Sequence, residues 1–443
     1  MTPPNVQNAV DAAFAEEAAR IVAHVVRVTG DWDLAEDCMQ DAFIKALHTW
    51  TERGIPANPG GWLTTVAKNR AIDRVRSDAR EQRALGRIAY DLTLDSETRQ
   101  GSGDDRAIDD RLSLIFICCD TALSTDSCIA LTLRTVAGLS LEATARAFLV
   151  SIPTMTKRLV RARAKIKDAG TGFRFPSPKQ LIDRTDAILS VLYLLFNEGY
   201  TGTGRSSRID RALEAEAIRL TRAFLEFLTE PEQLCEAQSL LALMLLHSSR
   251  DLARFTPQGE PTLLGEQDRT LWDREAIAEA VDLLNTVSMR LGHRQEPGGR
   301  YFLEASIAAH HALDTMNFPR IADLYGELAF VVRSPVIELN RAVAVAMADG
   351  PEVGLRLVEG IVAEGKLANY YLLPATRGDL LRRLGRRAEA ASYYKEAVAL
   401  APSEAERSFL VSKLTQLSYS DPLAHAGPDS LTRHRRARRR RGV

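Results

Sequence analysis

The chain has 443 residues, too many for one compact core, so roughly two to four domains are expected. Its formal charge of -1 is an average: the last eleven residues, RHRRARRRRGV, hold seven arginines and no acid, which leaves an acidic body with a cationic tail. No apolar run is long enough to span a bilayer, and MTPPNVQNAVDAAFAEEAAR lacks the basic start and hydrophobic core of a signal peptide, so no membrane attachment and a cytoplasmic location are expected.

Helical periodicity runs almost unbroken along the chain, rich in alanine, leucine, arginine and glutamate, with no alternating β-branched stretch, which predicts an all-α protein. The first distinctive segment, GDWDLAEDCMQDAFIKAL from Gly30, reads as a turn followed by an amphipathic helix through Trp50 with acids in its first turn. Its apolar side is Leu34, Ala35, Cys38, Ala42, Phe43, Ala46, Leu47 and Trp50, and its carboxylates suit protein docking better than nucleic acid. A Gly- and Pro-rich loop, WTERGIPANPGGW (50–62), then shapes the entry to a basic helix at 60–80.

In that helix Leu63, Val66, Ala67, Ala71, Ile72 and Val75 form the inward stripe, while Lys68, Arg70, Arg74, Arg76 and Arg80 outnumber Asp73 and Asp78. The positive excess fits a phosphate backbone, and Trp62 offers a stacking face worth about 1–3 kcal/mol per base. Two readings stay open for the segment by itself: a single-strand-binding surface, or a solvated helix whose tryptophan is core.

Residues 84–108, polar and acidic with Gly101-Ser102-Gly103, read as a flexible linker. Helices resume at Asp109. Within them, LSLEATARAFLVSIPTMTKRLVRARAKIK (139–167) has the pattern of a helix-turn-helix: Ser140 caps one helix and Ser151 the next, with Pro153 tolerated in the first turn. Ile152, Met155, Leu159, Ala162 and Ile166 are expected to face inward. Thr154, Thr156, Lys157, Arg158 and Arg161 are the candidates for contact with duplex DNA in a major groove. A helical hairpin with a basic outer face is the alternative.

AGTGFRFPSPK (169–179) breaks the helices through Gly170, Gly172, Pro176 and Pro178. A large third block of short helices follows, from about Gln180 to Leu417. Gly378, Ala390, Tyr394, Ala397 and Pro402 satisfy one 34-residue tetratricopeptide frame, but stepping 34 residues toward the N-terminus gives Ala344 and Ala363 at small positions with Arg356 and Gly360 misfitting, so an irregular helical solenoid is expected. The arginine tail reads as disordered, able to bind nucleic acid or an acidic surface, or as a solubilising extension.

Cys38, Cys118, Cys119, Cys128 and Cys235 lack metal-ligand spacing and read as reduced, partly buried small hydrophobes. Glu304, His310, His311 and Asp314 form the one dense ionisable cluster; satisfied or solvated histidines are preferred there over a metal site, and no metal or cofactor is expected.

The ordered motifs GDWDLAEDCMQDAFIKAL, NPGGWLTTVAKNRAIDRVR, DDRLSLIFICC and LSLEATARAFLVSIPTMTKRLVRARAKI resemble the two-domain core of bacterial sigma factors of the extracytoplasmic-function group. LYLLFNEGY, LLALMLLHSSR, DRTLWDREAI and LNRAVAVA resemble the long, tetratricopeptide-like C-terminal extension of one branch of that group. The resemblance implies a first sigma domain at 1–83, the linker at 84–108, a second at 109–170, a linker at 171–180, the extension at 181–420 and the tail at 421–443. It implies a non-enzymatic protein: Asp31, Asp37, Gln40 and Phe43 would dock on the clamp of core RNA polymerase. Trp62, Lys68, Asn69, Arg70 and Arg74 would hold the melted -10 element, one base flipped into a pocket walled by 51–60, while the 152–167 helix reads the -35 element of promoter DNA. The extension would contact the sigma core or polymerase and set activity. Where family members often carry Cys-Cys-His-Pro, this chain has Cys118-Cys119-Asp120-Thr121, and the arginine tail is outside the family pattern. A one-component helix-turn-helix regulator with a helical sensor is the alternative, but it leaves the acidic helix and the tryptophan-headed basic helix without a role.

Overall fold

A computed structural model describes residues 4–81, 110–148, 150–168, 178–200, 208–256, 262, 264–313, 316–402 and 404–419. The expected linker at 84–108, most of the break at 169–179, Leu149 of the turn, Asp314 and the arginine tail lie outside these residues. Among the described residues there are eighteen α-helices and no β-strand, and the chain forms two compact units, 1–244 and 245–443. This division falls inside a helix, Pro231–Ser248, whereas the sequence reading set its boundary at 171–180.

The first unit opens with α1 (Pro4–Thr29), α2 (Trp32–Arg53) and α3 (Pro59–Glu81), each packed on the other two. Ile21, Val25 and Val26 of α1 meet Ala35, Cys38, Ala42 and Trp50 of α2 and Leu63, Ala67 and Ala71 of α3 in one buried core. The small residues let the helices approach closely, and the large indole of Trp50 fills what remains. Gly54 ends α2 with φ +84°, its N–H bonded to the Trp50 carbonyl at 3.1 Å; only glycine takes that conformation without strain.

Four helices follow: α4 (Asp110–Cys118), α5 (Thr125–Thr135), α6 (Leu141–Ala147) and α7 (Ile152–Asp168). α5 packs on α4, α6 and α7, and α4 also packs on α1. Next come α8 (Pro178–Tyr200), α9 (Arg208–Leu225) and α10 (Pro231–Ser248). α8 and α9 form a hairpin laid on α4, with α8 also on α5, so that Phe116 of α4 lies 5.9 Å from Phe224 and 6.2 Å from Phe227. Helices α4 and α5 therefore pack on elements that come after the expected boundary.

The second unit contains α11 (Arg274–Arg294), α12 (Arg300–Ala312), α13 (Phe318–Val331), α14 (Pro335–Ala348), α15 (Pro351–Ala363), α16 (Leu372–Arg383), α17 (Arg387–Leu400) and α18 (Glu404–Tyr419), each packed on the next. The structure corrects the repeat length. The positions filled by Gly378, Ala390, Tyr394 and Ala397 are filled 36 residues earlier by Ala342, Gly354, Val358 and Ile361, all buried. A Cβ on Gly378 would meet the Ala390 carbonyl at 3.3 Å, and one on Gly354 would meet the Ala346 Cβ at 2.4 Å and the Ala342 carbonyl at 2.7 Å. One glycine sits at each crossing, on the first helix of one pair and on the second helix of the other. The 34-residue step missed the register by two residues and landed on Arg356 and Gly360, both exposed.

Candidate nucleic-acid interface

Asn58 starts the basic helix: its Oδ1 accepts the Gly61 N–H at 2.9 Å and its carbonyl accepts the Trp62 N–H at 3.2 Å, with Pro59 at the first helical position. This places Trp62 against buried Trp50, edge to face, with ring centroids 5.7 Å apart. Trp62 is half-buried, so one face packs on the domain and the rest meets solvent. Asn69, Arg74 and Arg76 are exposed and Lys68 is half-buried, while the side chain of Arg80 lies outside the described residues. Arg70 is exposed but bridged, its Nε donating to Asp41 Oδ2 at 2.9 Å, and that bond raises its already high pKa. The 53–58 loop ahead of this face is largely exposed.

On α2 the four expected docking residues divide. Asp31 caps the helix, its Oδ1 accepting the N–H groups of Asp33 and Leu34 at 3.0 Å each, and Phe43 is buried edge to face with Phe14 at 5.1 Å. Both serve the fold. Asp37 and Gln40 stand exposed on the outer face.

The two helix-turn-helix caps form as the side-chain chemistry requires: Ser140 Oγ accepts the Ala143 N–H at 3.1 Å and Ser151 Oγ the Thr154 N–H at 3.4 Å. Met155, Leu159, Ala162 and Ile166 are buried, but Ile152 is 43% exposed, a correction to the expected stripe. It sits at the first helical position, a turn before the packed segment begins. Thr154, Thr156, Lys157 and Arg161 are exposed, with Thr154, Lys157 and Arg161 spaced three and four residues apart on one face. Arg158 is half-buried: its guanidinium lies 5.1 Å from the centre of the Phe148 ring and 3.8 Å from Asp126, so it braces the turn between the two helices.

Three features escaped the sequence reading. Arg163 turns away from the exposed basic face: its guanidinium reaches Glu36 at 2.5 Å and Asp33 at 3.2 Å and lies 5.8 Å from the Trp32 ring. Asp120, noticed only as a departure, is buried with one carboxylate oxygen on the Ala122 N–H at 2.9 Å and the other on Arg184 at 2.6 Å. Arg184, itself buried, also donates to the Phe116 carbonyl at 2.9 Å. No local pattern signals pairs separated by 64 and 127 residues. The third is His247, whose Nδ1 lies 2.9 Å from Arg250 and whose pKa burial pushes down to about 3, helped by Arg250 and Arg254.

All five cysteines are free and buried, and burial pushes the thiols of Cys38 up to about 11 and of Cys118 to about 12. In the histidine cluster, burial pushes His311 down to about 4, and Glu304 is taken by Arg300 at 2.9 Å. Among the described residues no three His, Cys, Asp or Glu side chains group as metal ligands, and no helix is long and apolar enough to cross a membrane.

Residues 13–81, which carry α2 and α3, match Sigma-70 region 2, and residues 184–288 match a family of unknown function (DUF6596). "Uncharacterized protein R00370" of Rhizobium meliloti (strain 1021) is 38% identical over 419 residues, 92% of this chain and 96% of that one. The "ECF RNA polymerase sigma factor SigL" of Mycobacterium tuberculosis is 35% identical over 88 residues, 20% of this chain and 49% of its own. Arg184, the buried partner of Asp120, is the first residue of the second matched segment.

Proposed function

The chain belongs to the extracytoplasmic-function sigma factors, in the branch with a long C-terminal extension, and from that membership we propose that it mounts on core RNA polymerase and directs promoter recognition and strand opening. The observation that carries this reading is a set of solvent-facing polar side chains on residues matched to Sigma-70 region 2. Trp62 heads a helix whose Lys68, Asn69 and Arg74 line the solvent side, and exposed Asp37 and Gln40 stand on the neighbouring helix.

In this reading Asp37 and Gln40 meet the polymerase clamp, while Asp31 and Phe43 hold the helix that presents them. Trp62, Lys68, Asn69, Arg70 and Arg74 capture the melted -10 strand. Stacking on an aromatic face and counterion release from phosphates supply the binding energy, and a flipped base is received beside the 51–60 loop. Arg70 must exchange Asp41 for a phosphate to take part. Thr154, Thr156, Lys157 and Arg161 read the -35 duplex, with Arg158 bracing the reading helix. The chain performs no covalent step; nucleotide addition belongs to the polymerase. The extension, read as tetratricopeptide-like from its paired helices, contacts the sigma core or polymerase and sets activity.

In vitro transcription with purified core polymerase and genomic DNA, followed by sequencing of RNA 5′ ends, tests the proposal. Start sites that share -10 and -35 elements are expected only when chain and core are both present. Tight binding to promoter duplex without core, together with no chain-dependent start sites, would replace this reading with a one-component regulator.

A further inference from the structure

Two neighbouring rows of side chains, each stepping by four residues, run along the exposed side of α7. One is basic: Lys157, Arg161 and Lys165 are all exposed. The row beside it is apolar: Ile152, Thr156, Val160 and Ala164 are exposed as well, Ile152 at 43% and Val160 at 61%. The core of the domain is filled from a different stripe, Met155, Leu159, Ala162 and Ile166, which are buried. A single exposed valine is ordinary on any surface. A row of three β-branched residues, on a helix with no acid from 152 to 167, is an apolar ridge laid against a cationic one.

The hydroxyls on this surface are already engaged. Thr156 Oγ1 donates to the Ile152 carbonyl at 3.0 Å, and Thr154 shares a 2.9 Å hydroxyl contact with the capping Ser151. Thr156 spends its one side-chain donor on its own helix, so its methyl is what it offers outward. β-Branched side chains are stiff at χ1, and Ile152, Thr156 and Val160 therefore hold their methyl groups in place before any contact is made. Four residues of helix rise about 6 Å, close to two base pairs at about 3.4 Å each, so the ridge matches apolar points spaced by about two pairs. In a major groove the methyl group on offer is the 5-methyl of thymine, set among donors and acceptors that an apolar side chain would leave unpaired.

We propose that Ile152, Thr156 and Val160 select thymines in the -35 element through their 5-methyl groups, while Lys157 and Arg161 supply phosphate contacts beside them. The basic ridge decides the occupant: cations next to an apolar row fit a duplex, whose phosphates flank the groove. The inference rests on the sigma-factor reading of α7 and assigns the choice of base within it to three side chains.

The test uses holoenzyme, the full-length chain on core polymerase, with linear promoters found by start-site mapping. In a second set of templates each thymidine of the -35 element is replaced by deoxyuridine, which pairs alike but lacks the methyl group. Affinity of the wild-type holoenzyme should fall about fourfold per methyl that is contacted, the size of exposing one methylene-sized group. This arm needs no altered protein, so folding of a variant cannot confuse it. V160A and T156S should bring the thymidine-to-deoxyuridine ratio toward one, whereas T156V, which keeps the methyl and removes the hydroxyl, should preserve it. K157A should weaken binding to both templates alike. Equal affinity of the wild type for the two templates, a -35 element without thymine, or a ratio lost in T156V and kept in T156S would overturn the inference. If no start site depends on chain and core together, the sigma-factor reading fails and this inference with it; start sites indifferent to the methyl group refute this inference alone.

Discussion

Replacing Arg184 with methionine keeps the volume and removes the charge that neutralises Asp120. Asp120 is 4% exposed and Arg184 7%, and the Ala122 N–H would still donate to the carboxylate. Breaking such a buried pair from one side costs about 3–5 kcal/mol, because a buried charge is left uncompensated. The Phe116 carbonyl would lose a donor as well, at about 1–3 kcal/mol if it finds no other. Adding Asp120→Asn removes the orphaned charge while its Oδ1 still accepts the Ala122 N–H, so R184M with D120N should cost less than R184M alone. Tryptophan fluorescence is a poor assay, since Trp32, Trp50, Trp62 and Trp272 all lie outside the segment from α4 to α9. Amide exchange in α5 reports it directly, and a loss of 3–5 kcal/mol corresponds to exchange roughly a hundred- to several-thousand-fold faster. Because α7 rests on α5, affinity for -35 duplex should fall in parallel although neither residue faces DNA. Exchange less than tenfold faster in R184M, or a double variant whose cost is the sum of the two singles, would refute the reasoning.

His247 and His311 are held neutral in the fold, with pKa values near 3 and 4, while in the unfolded chain they protonate near 6.5. The unfolded state therefore binds more protons below pH 6.5, so stability present at pH 7 is lost as pH falls. The loss is roughly 2 kcal/mol per histidine by pH 5, seen as reduced exchange protection in α12, and His247→Asn should remove its share. Gly354→Ala should lower the melting temperature of the second unit, since overpacking of about 1–3 kcal/mol outweighs the gain in helix propensity, while Gly360→Ala, with nothing within 4 Å, should stabilise that unit by about 0.5–1 kcal/mol and raise its melting temperature. K157A and R161A should each weaken -35 duplex binding by the polymerase-bound chain and reduce the slope of log affinity against log salt by about 1; R158A should instead destabilise the turn and leave that slope nearly unchanged.

What could be read from the sequence was whatever depends on near neighbours. The caps at Ser140 and Ser151 and the stripes of α2, α3 and α7 follow from one helical period and one hydroxyl or carboxylate at the right place. What was harder to read is a residue's full set of partners. Asp31 looked like a docking acid but caps its own helix, a use equally local that the docking analogy hid. Phe43 was placed on the apolar side of α2, where it is buried beside Phe14, and the analogy also made it a contact residue. Arg158 differs from Lys157 by one position, and only the fold of the turn, which sets Phe148 beside it, separates a brace from a contact.

The buried pair bears on where the extension begins. A sequence boundary at 171–180 follows from glycine and proline, which mark where helices stop, not where cores stop. Asp120 loses its ion pair without α8, Arg184 loses the Phe116 carbonyl without α4, and Phe116 meets Phe224 and Phe227 across the same junction. Either charge introduced without its partner would carry the penalty of a buried orphan. Aspartate at 120 and arginine at 184 therefore make physical sense together, and the two belong to one core even though only Arg184 lies within a matched family segment. Helices α5, on which the proposed reading helix rests, and α4 are thus packed on α8 and α9, so residues after 180 are part of the core beneath that surface before any regulatory role is considered.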